Sequence, residues 1–256
     1  MTPSAVVQRA PDRPAVIMAA GGDVVTFADL EKRSNQVAHV FRERGIRQGG
    51  SVAILLENHP RFHEILWAAQ RSGLYYTAIN THLTLDEAAH IVDDCGATLI
   101  VSSAHLATVA EGLTAQRVPR VELRLMVDGA IQGWESYEDA TEGQPGHPID
   151  DEAEGDFMLY SSGTTGRPKG IKRELSLTPF GTKPDPVGPF LQALAFGDGC
   201  VYLSPAPLYH AAPLAWTMAA QRLGGTVVVM ERFDPSETLE LVERHLVTHS
   251  QMVPTM

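Results

Sequence analysis

The chain has 256 residues, of which 44% are hydrophobic and 20% are charged, an ordinary globular composition that can bury a full core. The net charge of −11 argues against non-specific nucleic-acid binding. Cys95 and Cys200 are far apart and show no metal-binding spacing. The apolar run 15–20 is too short for a membrane span and lacks signal-peptide flanks. These features predict a cytoplasmic protein without a nucleic-acid partner.

Strands alternate with helices through the first half of the chain. Helix starts are marked by Thr26 with Asp29 and by Thr84 with Glu87, each an acidic residue three positions after a capping hydroxyl. The strands are nearly continuous apolar runs, as a sheet covered on both faces requires. The predicted strands are 15–19, 23–26, 51–56, 75–79, 98–101 and 121–127. The predicted helices lie between 26 and 45, around 62–69, 85–92 and 106–113.

This alternation predicts an α/β fold of mostly parallel sheets covered by helices on both faces. The stretch 129–155 contains Gly, Pro and a run of acids but little periodicity, which indicates a surface connection. We therefore divide the chain into a first α/β sub-structure at 1–128, this connecting segment, and a second α/β portion at 156–256.

The second portion is predicted to begin with a short buried strand, 156–160, and to continue in a long loop at 173–189. Asp234, Pro235 and Glu237 form a strong helix start. The apolar residues of that helix are Leu239, Leu241, Val242 and Leu246. The further predicted elements are helices around 190–196 and 215–223 and strands at 200–204 and 226–230. The last residues, 253–256, resemble an interrupted strand. We therefore expect the apolar face of the helix at 235–246 to lack its cover, which would leave exposed apolar surface near the C-terminus and allow self-association through it.

The most chemically dense stretch is 160–170, Tyr-Ser-Ser-Gly-Thr-Thr-Gly-Arg-Pro-Lys-Gly. Glycines allow several backbone N–H groups to face one point, while hydroxyls and a lysine add donors and charge. Each hydrogen bond to a charged oxygen contributes about 1.5–3 kcal/mol. The stretch therefore predicts a loop that holds a phosphate tail.

Three common patterns do not fit this loop. Counting from Gly163, the Walker pattern fails because Pro168 replaces the second glycine and Gly170 replaces Ser or Thr. A dinucleotide fingerprint lacks its third glycine in register. A nucleophile elbow would need glycines at the correct offsets around Ser161 or Ser162, and neither serine has them.

The loop does resemble the [ST]-S-G-T-T-G-x-P-K-G signature of the adenylate-forming (AMP-binding) superfamily, whose members include acyl-CoA synthetases. Pro207-Leu208-Tyr209-His210 is similar to the P-[LM]-[FY]-H element of that family, and 73–84 with 93–97 is similar to a further strand-loop-helix of it. The resemblance runs through most of 10–256. One departure is that no histidine follows Lys169 and Gly170 within 171–175.

The resemblance implies ATP-dependent activation of a fatty or bulky hydrophobic acid to an acyl-adenylate, followed by thioester formation with coenzyme A. It implies ATP, Mg²⁺ and coenzyme A as cofactors or cosubstrates, and no metal ligand within this chain. His210 would orient the carboxylate or gate the acyl pocket, and Lys169 would assist catalysis. The residues implied in holding the ATP phosphates are Ser161, Ser162, Gly163, Thr164, Thr165, Gly166 and Lys169.

Segments of the family that hold adenine, ribose and the catalytic lysine of a C-terminal domain have no counterpart in 1–256. We therefore expect an N-terminal fragment that is inactive alone as a ligase. An amino-acid adenylation domain and a non-catalytic nucleotide-binding fragment remain as alternatives. Peripheral membrane contact is left open for a lipid substrate, as is a homo-oligomer formed through the exposed edge. Asn80, His82, His59 and His63 are interpreted as turn or partly exposed helix residues.

Overall fold

The computed structural model describes residues 2–161, 168–183 and 188–256. Its α-helices are α1 Pro3–Val7, α2 Phe27–Glu43, α3 Arg61–Arg71, α4 Leu85–Asp94, α5 Ala107–Ala110, α6 Tyr137–Thr141, α7 Gly188–Ala193, α8 Ala211–Arg222 and α9 Pro235–Arg244. Its strands are β1 Pro14–Met18, β2 Val24–Thr26, β3 Ser51–Leu55, β4 Tyr75–Ala78, β5 Leu99–Ser103, β6 Leu123–Val127, β7 Glu135–Ser136, β8 Asp156–Phe157, β9 Leu159–Ser161, β10 Lys169–Ile171, β11 Val201–Ser204, β12 Thr226–Val229 and β13 His249–Ser250. None of these helices is long and apolar enough to cross a lipid bilayer.

The first of two compact units comprises residues 1–32, 57–64 and 181–256. Its sheet has the strand order β13-β11-β12-β1-β2. All neighbours are parallel except β1 and β2, which form an antiparallel hairpin. Gly22 makes the turn of this hairpin at φ +68°, a conformation that glycine adopts without steric cost. The predicted pair of strands around this turn is thereby confirmed.

The second unit comprises residues 33–56 and 65–180. Its six-stranded sheet has the order β7-β6-β5-β3-β4-β8, and every pairing is parallel. Every residue of β3, β4 and β5 is buried, because a central parallel strand is covered on both faces. The α/β class with mostly parallel sheets is confirmed.

The division of the chain differs from the one drawn from the sequence. Residues 1–32 were expected with the rest of 1–128, but β1 pairs in parallel with β12, more than 200 residues later. The connecting segment 129–155 lies within the second unit and contributes β7 and α6. Its buried residues include Trp134, Tyr137 and Glu154. Composition cannot reveal such long-range strand pairing, which is why the sequence suggested a simpler partition.

Local signals account well for most element bounds. In α4, the Thr84 hydroxyl accepts from the Glu87 N–H, and the Glu87 carboxylate accepts from the Thr84 N–H at 2.9 Å, which completes the predicted capping box. The strand predicted at 156–160 divides into β8 and β9. β8 pairs with β4, while β9 turns away and pairs with β10. Cys95 and Cys200 are both free and buried.

Candidate functional site

The phosphate-loop motif connects two strands of an antiparallel hairpin. Ser161 of β9 lies opposite Lys169 of β10, Tyr160 opposite Gly170, and Leu159 opposite Ile171. This register closes the base of the loop and leaves 162–168 to join the two strands. A strand, a Gly-rich connection and a lysine at its far end are the arrangement expected of a phosphate-holding loop.

The candidate residues Ser162, Gly163, Thr164, Thr165 and Gly166 lie outside the described residues. For Ser161 the structure describes the backbone, which pairs with Lys169. Lys169 is exposed at the start of β10. A cation at this point is available to an anion held at the base of the hairpin.

The chain after the hairpin is attached to the second unit along its length. The Tyr75 hydroxyl donates to the Arg173 carbonyl at 2.6 Å, and the Lys172 ammonium lies 4.3 Å from the centroid of the Tyr75 ring. Farther on, the guanidinium of buried Arg71 lies 5.2 Å from the centroid of the Phe180 ring. Over its described part, 173–183, the predicted long loop is therefore irregular in backbone yet held by specific contacts.

The second candidate element, Pro207 to His210, follows β11 in the first unit. Its position is set by Asn58, a buried residue just before α3. The Asn58 amide donates to the Met230 carbonyl at 2.7 Å and to the Ala206 carbonyl at 3.3 Å. The Asn58 side-chain oxygen accepts from the Leu208 N–H at 2.8 Å. One amide thus joins three segments that are distant in sequence.

From the sequence, Asn58-His59-Pro60 is interpreted only as a turn, and this role of the Asn58 side chain is not predicted. The available signal was an Asn between an apolar strand and a helix, followed two residues later by Pro60. That signal indicates a turn, but it cannot identify the partners of the amide. Those partners are about 150 and 170 residues away, and only the folded chain brings them together.

His210 is the residue before the first turn of α8, with φ −85° and ψ 148°. Its side chain is exposed, and its ring centroid lies 4.6 Å from that of Tyr209. Desolvation of the ring lowers its pKa below the ordinary 6.5, because it disfavours the imidazolium. A neutral imidazole has one donor and one acceptor nitrogen. His210 belongs to the first unit and Lys169 to the second.

A cluster of aromatic rings includes Trp216 of α8, the helix that begins after His210. Trp216 lies with its ring centroid 5.8 Å from those of Phe190 and Phe196, and it stacks on Tyr202 at 6.3 Å. The ring of His249 lies 4.0 Å from Phe196. Phe190 remains exposed, so the cluster presents aromatic surface at its edge.

Of the remaining histidine and asparagine candidates, Asn80 has the expected turn role and His63 does not have the expected exposure. The Asn80 side-chain oxygen accepts from the His82 N–H at 2.9 Å, which is the turn role expected for Asn80. His63 was expected to be partly exposed, and this was wrong. Its side chain is 0% exposed, and neither ring nitrogen has a hydrogen-bond partner among the residues that the structure describes. Burial lowers its pKa to about 3. The helical pattern around it gave no sign of this burial.

Within residues 2–161, 168–183 and 188–256, no group of three or more His, Cys, Asp or Glu side chains could hold a metal ion. We therefore assign no residue to Mg²⁺.

Comparison with known proteins gives a consistent result. A family model described as "AMP-binding enzyme" matches residues 4–256. The chain is 34% identical to 4-coumarate–CoA ligase 1 of Oryza sativa subsp. japonica, over 94% of this chain and 44% of the relative. It is 32% identical to feruloyl-CoA synthase of an Amycolatopsis species, over 92% of this chain and 45% of the relative. It thus spans about half the length of these relatives.

The fold also matches solved structures. A Mycobacterium tuberculosis fatty acyl CoA synthetase superimposes with a TM-score of 0.83 at 21% identity, covering 99% of this chain and 48% of that protein. At this identity the likeness establishes the fold.

Proposed function

Because the chain belongs to the AMP-binding enzyme family, we propose that it forms the phosphate-binding part of an acid–thiol ligase. The observation that carries this proposal is the ten-residue motif at 161–170, held between paired β9 and β10 with exposed Lys169 at its end. In the proposed reaction, a carboxylate oxygen attacks the α-phosphorus of ATP and pyrophosphate leaves. The thiol of coenzyme A then attacks the acyl-adenylate carbonyl, and AMP leaves.

The residues of this chain act mainly by binding and orientation. The backbone N–H groups and hydroxyls of 161–166, with Lys169, hold the β- and γ-phosphates and favour departure of pyrophosphate. Such positioning and charge neutralisation account for most catalysis in phosphoryl chemistry. His210 orients the carboxylate or shapes the mouth of the acyl pocket. Desolvation lowers its pKa and so disfavours the charged ring. The neutral form has one donor and one acceptor nitrogen. Mg²⁺ supplies charge neutralisation when it is bound.

The acid is proposed to have a hydrophobic body. The aromatic cluster of Phe190, Phe196, Tyr202 and Trp216 supports this, because it includes α8, the helix that follows His210. Named relatives act on 4-coumarate and on ferulate, and another is a long-chain-fatty-acid–CoA ligase. Hydroxycinnamic acids and fatty acids are therefore the first substrates to test.

Two measurements test the proposal. Binding of ATP to the 256-residue chain at millimolar concentration tests the phosphate site, and its absence would favour an inert module. Acid-dependent exchange of labelled pyrophosphate into ATP tests activation, with 4-coumarate, ferulate, palmitate and an amino-acid panel as substrates. Exchange is measured on the longest form of the protein that can be produced. Exchange stimulated only by amino acids would contradict the proposed substrate class.

A further inference from the structure

The strand that enters the phosphate loop is fastened to a helix 66 residues earlier. The Tyr160 hydroxyl of β9 donates to the Asp94 carboxylate of α4 at 2.5 Å. Tyr160 immediately precedes the Ser161–Lys169 pair that closes the base of the loop. This hydrogen bond is therefore one residue from the point at which the loop begins.

The residue opposite Tyr160 on β10 has no side chain, so the Tyr160 ring can approach the backbone of that strand. Gly170 lies opposite Tyr160 in the hairpin. A Cβ atom built on Gly170 would lie 2.8 Å from Tyr160 Cζ and 3.0 Å from its hydroxyl oxygen. The same atom would lie 2.4 Å from the terminal methyl of Met158, which is buried in the core of the second unit. The Tyr160 ring thus lies close against the backbone of β10, and a larger residue at position 170 would have to displace the Tyr160 and Met158 side chains.

Asp94, the acceptor of this hydrogen bond, lies at the end of a helix that packs into the core of the second unit. α4 has a complete capping box and buries Ala88, Ala89, Ile91 and Val92. Asp94 is its last residue, and an acid is unfavourable there because the carboxyl end of a helix carries partial negative charge. In this structure the Asp94 carboxylate accepts a hydrogen bond from the hydroxyl of Tyr160.

Burial and the hydrogen bond to Asp94 raise the pKa of Tyr160. Both burial and the nearby carboxylate disfavour the phenolate. The Tyr160 hydroxyl therefore stays protonated near neutral pH and continues to donate to Asp94.

We propose that Tyr160 and Asp94 are positioning residues that fix the base of the phosphate loop, so that its donors and Lys169 stay in register for the polyphosphate. The inference rests on the proposed function and adds to it two residues that touch neither phosphate nor acid. It predicts that loss of the hydrogen bond loosens the hairpin and weakens polyphosphate binding, while the rest of the second unit stays folded.

Inorganic pyrophosphate is the probe, and calorimetric titration of the 256-residue chain is the measurement. Removing one hydrogen bond of ordinary net strength should weaken pyrophosphate binding about three- to tenfold in Tyr160→Phe and in Asp94→Ala. Asp94→Asn keeps a side-chain oxygen acceptor and should recover most of the affinity. The double variant Y160F/D94A should bind no more weakly than either single variant, because both remove the same interaction.

Tyr76→Phe is the matched control. It removes a phenolic hydroxyl that donates to Gln70 at 2.7 Å in the same unit but outside the hairpin. It should leave pyrophosphate affinity unchanged. Hydrogen exchange supplies a second readout that a general loss of stability would not reproduce. Amides of 159–161 and 169–171 should exchange faster in Tyr160→Phe, while those of β3 and β5 keep their wild-type rates.

The outcomes separate the two claims. If the wild-type chain binds pyrophosphate and Tyr160→Phe and Asp94→Ala bind it equally well, the positioning role is overturned and the proposed function stands. If the wild-type chain binds no pyrophosphate, the proposed function fails and this role fails with it. Weakening by Asp94→Asn as large as that by Asp94→Ala would also overturn the role, because the acceptor would then not be what matters.

Discussion

The helices α4 and α9 begin with similar sequence signals but end in different surroundings. Thr84 caps α4, and Asp234 caps α9 by accepting from the Glu237 N–H at 2.9 Å. Each helix spans ten residues with an apolar face. In α4 that face is buried within a large core cluster. In α9 only part of the apolar surface is covered.

The difference lies in α9 itself, where the apolar residues occupy two faces. Leu241 is fully buried against the sheet of the first unit, whereas Leu239 is 72% and Leu246 is 79% exposed. Leu239 and Val242 are three residues apart on the exposed face of α9. Leu246 follows the end of the helix, at φ +51°, and is exposed as well. The exposed apolar surface expected near this end of the chain is thereby confirmed. A helix can therefore form from its local signals while one apolar face still lacks contacts.

Truncating one apolar side chain in each helix should give the largest difference in the free energy of unfolding between α4 and α9. Ile91→Ala in α4 should lower the free energy of unfolding by about 2–5 kcal/mol, because it removes buried methyl groups and leaves a cavity. Leu239→Ala in α9 should change it by less than about 0.5 kcal/mol, because the side chain is mostly in water. Urea denaturation measures both. Equal losses would show that the exposed face of α9 is covered in solution.

The buried imidazole of His63 should make the free energy of unfolding depend on pH. His63 in α3 has a pKa of about 3 when folded, against about 6.5 when unfolded. Between these values the unfolded chain binds the extra proton, so stability falls as pH decreases from 6.5 towards 3. The slope should reach about 1.4 kcal/mol per pH unit.

His63→Leu should remove this component of the pH dependence, as measured by denaturation at pH 7, 6 and 5. His245→Gln, at the half-buried end of α9, is the control and should retain most of the slope. A slope that His63→Leu leaves intact would mean that the ring is hydrated or charged in the folded protein.

Removing the N-cap side chain should lower the free energy of unfolding by a similar, smaller amount in each of the two helices. Thr84→Ala and Asp234→Ala each remove an acceptor for an N–H of the first turn, and each should cost about 1 kcal/mol. Thermal denaturation with circular dichroism provides the comparison. If Asp234→Ala has no effect, the first turn of α9 does not depend on its cap, and the similarity between the two helix starts is only one of sequence.

Replacing two exposed leucines, one in α9 and one just after it, should have the smallest effect on the free energy of unfolding. The double variant L239K/L246K should stay within about 0.5 kcal/mol of the wild type. It should also reduce any concentration-dependent self-association, because the contiguous apolar surface is broken. Sedimentation velocity at several concentrations tests this. A wild-type chain that is strictly monomeric at high concentration would contradict the expected self-association.

Sequence patterns predicted the α/β class and most element positions because capping residues and apolar periodicity act over a few residues. They failed where a contact spans the chain, as in the pairing of β1 with β12, and they were imprecise for the bounds of short helices. The 3₁₀ and α-helical turns at 104–110 replaced a longer predicted helix. The helix predicted at 215–223 begins instead at Ala211, directly after His210. The helix α1 was not predicted, since five residues carry too little periodicity to detect.

The sequence by itself determined the phosphate-loop motif, the capped helices and the apolar strands, because each depends on neighbouring residues and their conformational preferences. The tertiary structure alone decided the pairing of β1 with β12, the link from Asn58 to Leu208 and Met230, and the bond between Tyr160 and Asp94. It also decided that the imidazole of His63 is buried and that Leu239 is not. These contacts join residues that are distant in the chain, and no local preference specifies them.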